Sequence, residues 1–365
     1  MGLLRLIFAL AVVFQHSPWN GGMVLVGGRN AVQLFYMISG FLISYVLTNS
    51  RSYQSVGDFY LGRLFRLLPI YYVVAAVSLL SAPFLNPALF DIYKNSPIAA
   101  QVLLVISNVT VFGQDWVMFS GVRDGALVPT ADFRASEVLL YKGLLVPQAW
   151  TLGVELSFYL VAPFIFRAKR AVWILLLLSV FIRLVLIAEG TGRNDPWTYR
   201  FFPSELAFFL LGSIASIYLL PLWKAALERL SAKAWGRSLP SLATATMLLL
   251  SVSYFVVPLS GGIKSLALFA IFFLLMPLTF IYQNESTWDK RLAELSYPVY
   301  VSHMLIVFAT ETYLPDRRTS MPLAISLINV VGAIGLAAIL NHVVGEPVER
   351  YRARFRRRQV PQESA

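Results

Sequence analysis

His16 closes an apolar run that begins at Leu3, eleven residues after Arg5. At ~1.5 Å of rise per helical residue the two are about 16 Å apart, which puts the guanidinium near one membrane face and the imidazole toward the opposite half. Imidazole titrates close to neutral pH, so His16 is a candidate general base for removing a proton from an acceptor hydroxyl. A helix-end histidine bonded to an interfacial carbonyl fits the same position. Glu155 lies between Trp150 and Tyr159, early in its helix and therefore in the same half as His16. A buried carboxylate there would orient the imidazole and stabilise its cation, or else form a structural pair with Arg183 or Arg200. Arg63 and Arg66 stand three apart, on one helix face, just before Pro69. Two forked guanidinium groups can hold a diphosphate bidentately, which points to a phosphorylated donor; a positive anchor at a helix boundary is the plainer alternative. His303, three residues after Tyr300, ranks below His16 as a catalyst, because a single intramembrane histidine commonly serves as an interhelical hydrogen bonder. His342 is read as interfacial, and Arg183 with Glu205 as a structural pair. Three histidines without a close carboxylate cluster argue against a transition-metal site.

The elements that position these groups are membrane helices. The chain is 58% hydrophobic and only 13% charged, with a mean hydropathy of +0.67, far from a soluble average. Cysteine is absent, which excludes disulfides, thiolate ligands and a thiol nucleophile. The net charge of +11 comes from short basic clusters between apolar runs, the distribution of topology signals rather than of a nucleic-acid surface. The first apolar run leads into His16 and Pro18 without a small-x-small cleavage site and is read as a retained first helix.

Eleven apolar stretches are candidates, at about 3–17, 31–48, 64–82, 97–113, 150–166, 171–189, 201–220, 241–258, 264–282, 293–313 and 321–344. Basic clusters at Arg51, Arg63 and Arg66, at Arg167, Lys169 and Arg170, and at Lys224, Arg229, Lys233 and Arg237 mark the cytoplasmic side. The first two clusters then require an even number of crossings between them, so one of the three intervening stretches does not cross. The stretch 97–113 carries Gln101, Ser107, Asn108 and Thr110 and is short of the ~20 residues a span needs, so it is read as re-entrant or half-spanning. The expectation is an all-α polytopic integral membrane protein with about ten transmembrane helices and both termini cytoplasmic. One membrane domain covers 1–348, and a basic cytoplasmic tail covers 349–365. The stretch 114–149 falls outside and would shape an acceptor entrance.

In this order the motifs resemble the bacterial membrane acyltransferase-3 family. Arg5 through His16 resembles its opening helix, and Ser39-Gly40-Phe-Leu-Ile43 its second. Arg63-Leu-Phe-Arg66 is similar to its R-x-x-R element, Asn108 to Trp116 to its Asn-and-Gln segment, and Trp150 to Pro163 to its WSLSVE-type helix. Ser296 to His303, including Tyr300, and Glu346-Pro347 resemble the closing motifs. The resemblance implies His16 as catalytic base, Arg63 and Arg66, with Arg5 near the same face, on the acyl-CoA side, and Glu155 in support. Many relatives carry an acidic residue where this chain has Gln33, which leaves Glu155 as the substitute partner of His16; Ser39 is a further polar candidate. The implied reaction moves an acyl group, acetyl by preference, from cytoplasmic acyl-CoA to a hydroxyl of a sugar in a surface polysaccharide, lipid-linked glycan or related envelope precursor. The setting is the bacterial inner membrane, with no metal and no nucleic-acid partner. A non-enzymatic transporter of glycans or organic anions is the alternative from another class, against which the lack of an inverted repeat counts.

Overall fold

The computed structural model describes residues 1–49, 55–230 and 234–359. Arg51, Lys233 and the end of the basic tail lie outside the described residues. Fifteen α-helices are described: α1 (Gly2–Gln15), α2 (Gly28–Asn49), α3 (Val56–Leu85), α4 (Ala88–Asn95), α5 (Ile98–Thr110), α6 (Trp150–Ile165), α7 (Lys169–Ala188), α8 (Phe202–Ile214), α9 (Leu220–Leu230), α10 (Ala234–Ser253), α11 (Gly261–Glu285), α12 (Thr287–Tyr313), α13 (Pro315–Ser320), α14 (Pro322–Leu340) and α15 (Glu346–Gln359). Single π-helical turns join α8 to α9 and α14 to α15, so each pair runs as one long helix. Among the described residues, seven helices are long and apolar enough to cross a membrane: α2, α3, α7, α8 with α9, α11, α12, and α14 with α15. This is an all-α multi-pass membrane protein. The segment expected to be half-spanning is the 13-residue helix α5, one residue shorter than α1. The tail expected from 349 continues the last helix as α15.

Local signals place the helix ends. Ser55 and Asp58 form a capping box that starts α3. Proline near the first position opens α8, α13 and α14, where a missing N–H costs nothing. Asp289, in the first turn of α12, accepts hydrogen bonds from the backbone N–H groups of Gly2 (2.7 Å) and Leu3 (2.8 Å), capping α1 from a neighbouring helix. α2 packs closely on α8, where Gly40 lies against the Phe209 carbonyl and Gly212 against the Met37 carbonyl. The Ser213 hydroxyl donates to Gly40 O across it (3.1 Å). Lipid-type side chains such as Leu177, Phe181 and Leu184 stand exposed along α7.

Between α5 and α6 the chain forms short 3-10 turns and one antiparallel hairpin, β1 (Ser120–Arg123) with β2 (Ala126–Pro129). Asn108 anchors this stretch: its amide donates to Gly143 O (3.1 Å) and Tyr93 OH (3.0 Å), and its oxygen accepts from Leu145 N–H (2.8 Å). Gln114 donates to Tyr71 OH (2.8 Å) and ties the same loop to α3. The sequence suggested Asn108 as a site residue; its side chain folds the loop.

Candidate active site

Five helices converge on a cavity of about 100 Å³. α1 supplies Arg5, α2 Ser39, α3 Arg63 and Arg66, α6 Glu155 and Tyr159, and α12 Tyr297 and Tyr300. Arg63 is buried, with its guanidinium 5.5 Å from the Phe59 ring centre and 5.8 Å from that of Tyr159, so aromatic faces fix its direction. Arg66, one helical turn on, is exposed. The cavity shares Arg5, Arg63, Arg66 and Tyr297 with a wider cleft of about 720 Å³, bordered by α15 and by the π-helical turn before it. Glu155 accepts hydrogen bonds of 2.5 Å from both Ser39 Oγ and Tyr159 OH. Three guanidinium groups around one carboxylate leave an excess of positive charge, which suits an anion carrying several negative charges.

The other end of the site is built on the last turn of α1. His16 caps that helix and is exposed, while the chain beside it is pinned. Ser17 Oγ donates to Val13 O (2.8 Å), Asn329 of α14 donates to Ser17 Oγ (2.9 Å), and the Thr310 hydroxyl of α12 lies 2.9 Å from Asn329 Oδ1. Ser326 accepts from Trp19 N–H just beyond (3.1 Å). The ring of His303, fully buried on α12, has its centre 5.3 Å from that of His16. Between the two ends stands Tyr300, whose hydroxyl accepts from Thr151 Oγ1 (2.8 Å) and donates to Gln148 O (3.1 Å). Its ring faces Phe35 at 6.0 Å and His303 at 6.2 Å. Trp150, at the start of α6, lies under the Arg200 guanidinium at 4.1 Å and beside Tyr199 at 4.8 Å. Arg200 is itself held by Asp195 through bonds of 2.6 and 2.9 Å.

The structure therefore divides the expected site residues. Arg5, Arg63, Arg66, Ser39 and Glu155 share one cavity, and Tyr300 connects it toward His303 and His16. The Glu155 carboxylate expected to orient His16 sits at the arginine end instead. The depth inferred from its place in the helix assumed that α6 begins at the surface. It begins beside the middle of α12 instead, where Gln148 donates to Val301 O (2.6 Å) and Thr151 meets Tyr300. Gln33 is also directed elsewhere, donating to Glu205 (3.0 Å), which pairs with Arg183 at 2.7 Å as the sequence suggested. His342 is exposed, near Glu346. The sequence reading missed Tyr159, Thr151, Gln148, Ser17, Thr310 and Asn329. Tyr159 was legible as the i+4 neighbour of Glu155, and Asn329 as a lone amide in an apolar helix; nothing in the sequence marks the others.

Comparison with known proteins places these features in a family. The family model described as an acyltransferase domain, acyltransferase-3, matches residues 1–342. Over 235 residues the chain is 26% identical to a peptidoglycan O-acetyltransferase, OatA, of Listeria monocytogenes, a match covering 60% of this chain and 33% of that protein. The chain thus spans about a third of the curated relative it matches. No solved structure matches.

Proposed function

The chain belongs to the acyltransferase-3 family and is an acyltransferase, and from that premise we propose that it carries an acetyl group from cytoplasmic acyl-CoA to a sugar hydroxyl of an envelope glycan. The observation that supports this reading is one polar line through the helices, from three arginines through Tyr300 to a histidine pair, with the Arg5-to-His16 axis about 16 Å long. The donor's diphosphate binds at Arg63, Arg66 and Arg5, its nucleotide occupies the wide cleft beside α15, and the thioester extends past Tyr300 toward His16. The acceptor hydroxyl approaches from the His16 end. His16 takes the hydroxyl proton as that oxygen attacks the thioester carbon; the C–S bond breaks, and the thiolate leaves and is protonated. The relative named for peptidoglycan makes a peptidoglycan sugar one acceptor of the right class; other envelope glycans present the same hydroxyl.

The matching topology has ten crossings, α1, α2, α3, α6, α7, α8 with α9, α10, α11, α12 and α14, in the bacterial cell membrane. Both termini are cytoplasmic, residues 1–348 form the transferase domain, and the basic tail 349–365 lies at the cytoplasmic face. The test is transfer of label from acetyl-CoA to membrane glycan extracts by purified protein in lipid. Transfer by the wild type and its loss in a folded His16→Ala variant are expected. Near-normal transfer by His16→Ala overturns the base assignment, and no acyl-CoA-dependent transfer by the wild type overturns the reading itself.

A further inference from the structure

His16 faces a second histidine where a base of this kind ordinarily has a carboxylate. Glu155 is engaged by Ser39 and Tyr159, and Glu205 by Arg183 and Gln33. The protonation of His303 follows from its bonding to the backbone of its own helix. Its Nδ1 lies 2.8 Å from the carbonyl oxygen of Tyr300, and a carbonyl oxygen only accepts, so Nδ1 carries the hydrogen. In the neutral ring Nε2 is then a bare lone pair. That Nε2 is fully buried and has no hydrogen-bond partner. The ring that carries it is tilted 36° to that of His16, at a centre distance of 5.3 Å. A buried acceptor calls for a donor, and the neighbouring His16 ring carries an N–H.

Resting on the acyl-transfer reading above, we propose that His303 is the positioning residue of His16: rotation of the exposed His16 ring brings its N–H to the Nε2 lone pair and turns the other, bare nitrogen of His16 toward the acceptor hydroxyl. In the transfer step the hydroxyl oxygen forms its bond to the thioester carbon, and the hydroxyl proton passes to that bare nitrogen. The carbon–sulfur bond breaks, and the thiolate leaves with the electron pair and then takes the proton back from the His16 imidazolium. While His16 carries both hydrogens, His303 holds one of them and helps to disperse the charge. A neutral acceptor suits this depth. It fixes the tautomer as a carboxylate would, yet adds no charge to a membrane-embedded site between reactions.

The experiment measures acetyl transfer from labelled acetyl-CoA to a membrane glycan extract by the full chain in lipid, for wild type, His303→Phe and His303→Gln. Phe fills the space without a lone pair, whereas the Gln side-chain oxygen can again accept. For His303→Phe, kcat is expected to fall about 100-fold, with KM for acetyl-CoA within about two-fold of wild type. His303→Gln is expected to recover about ten-fold of that loss. A wild type that transfers nothing would sink the acyl-transfer reading. An active wild type with kcat little changed in His303→Phe, or with His303→Gln no better than His303→Phe, would sink only the positioning role. The third readout needs no folded variant at this position. Nitrogen NMR of the wild type, in which only three histidines contribute, is expected to show His303 protonated at Nδ1, and an Nε2–H tautomer would overturn the proposal.

Discussion

Glu155 and His16 belong to different ends of the site, and their variants should fail differently. The Glu155 carboxylate holds Ser39 and Tyr159 and balances Arg5, Arg63 and Arg66. Glu155→Gln removes the negative charge that offsets three guanidinium groups and is therefore expected to lower KM for acetyl-CoA about three-fold while changing kcat little. Unchanged KM with a collapsed kcat would return Glu155 to the side of His16. Asp115 offers a separate test at the same scale. It lies in the loop before α6, where burial lifts its carboxyl to about 7, with Oδ1 against Gly153 and without a hydrogen-bond partner. That value stands above the ordinary ~3.9 of the unfolded chain, so the folded state binds the extra proton. Its stabilisation is complete below about pH 4 and is lost as pH rises through about 7. Thermal unfolding at pH 5, 6, 7 and 8 should show a fall in apparent Tm for the wild type that is shallower in Asp115→Asn. Equal slopes would assign the titration to another group.

At the scale of elements, the site depends on how closely helices approach. Ser39 reaches Glu155 from α2, and α2 is seated on α8 through Gly40 and Gly212, whose missing side chains let backbones touch. Any Cβ at Gly40 would strike the Phe209 backbone, which cannot move as a side-chain tip can. Gly40→Val is expected to cost about 1–3 kcal/mol of stability as an overpacked contact and to lower activity by shifting Ser39. A variant with wild-type Tm and wild-type transfer would show that the two helices tolerate separation. The last turn of α1 is fixed by another device, the buried line from Thr310 through Asn329 to Ser17. That line sets the position of the backbone beside His16.

For the whole molecule, the ten-crossing topology predicts which loops face which side, and the absence of cysteine makes single-cysteine labelling clean. Ala126→Cys in the hairpin should react with a membrane-impermeant maleimide added to intact cells. Lys224→Cys, in α9, should react only after permeabilisation. If Ala126→Cys is silent until the cells are opened, α5 crosses the membrane and the sides of the chain between α5 and α6 are reversed. The donor and acceptor faces of the proposed reaction follow from the same experiment.

The sequence by itself determined that this is a membrane protein and that α5 is a short helix. It also placed an arginine and a histidine about 16 Å apart on one helix and paired Arg183 with Glu205. Those inferences need only composition, helical rise and the cost of isolated charge in a bilayer. It did not determine which groups meet. The rise per residue orders positions within one helix, but neither the depth at which a helix starts nor the direction its faces turn is encoded in its own spacing. Gln148 bonds to the middle of α12, and Glu155, about one and a half turns into α6, lies with the arginines rather than with the histidine. The pairing of His16 with His303 likewise exists only because α1 and α12 pack side by side, two helices nearly three hundred residues apart in the chain.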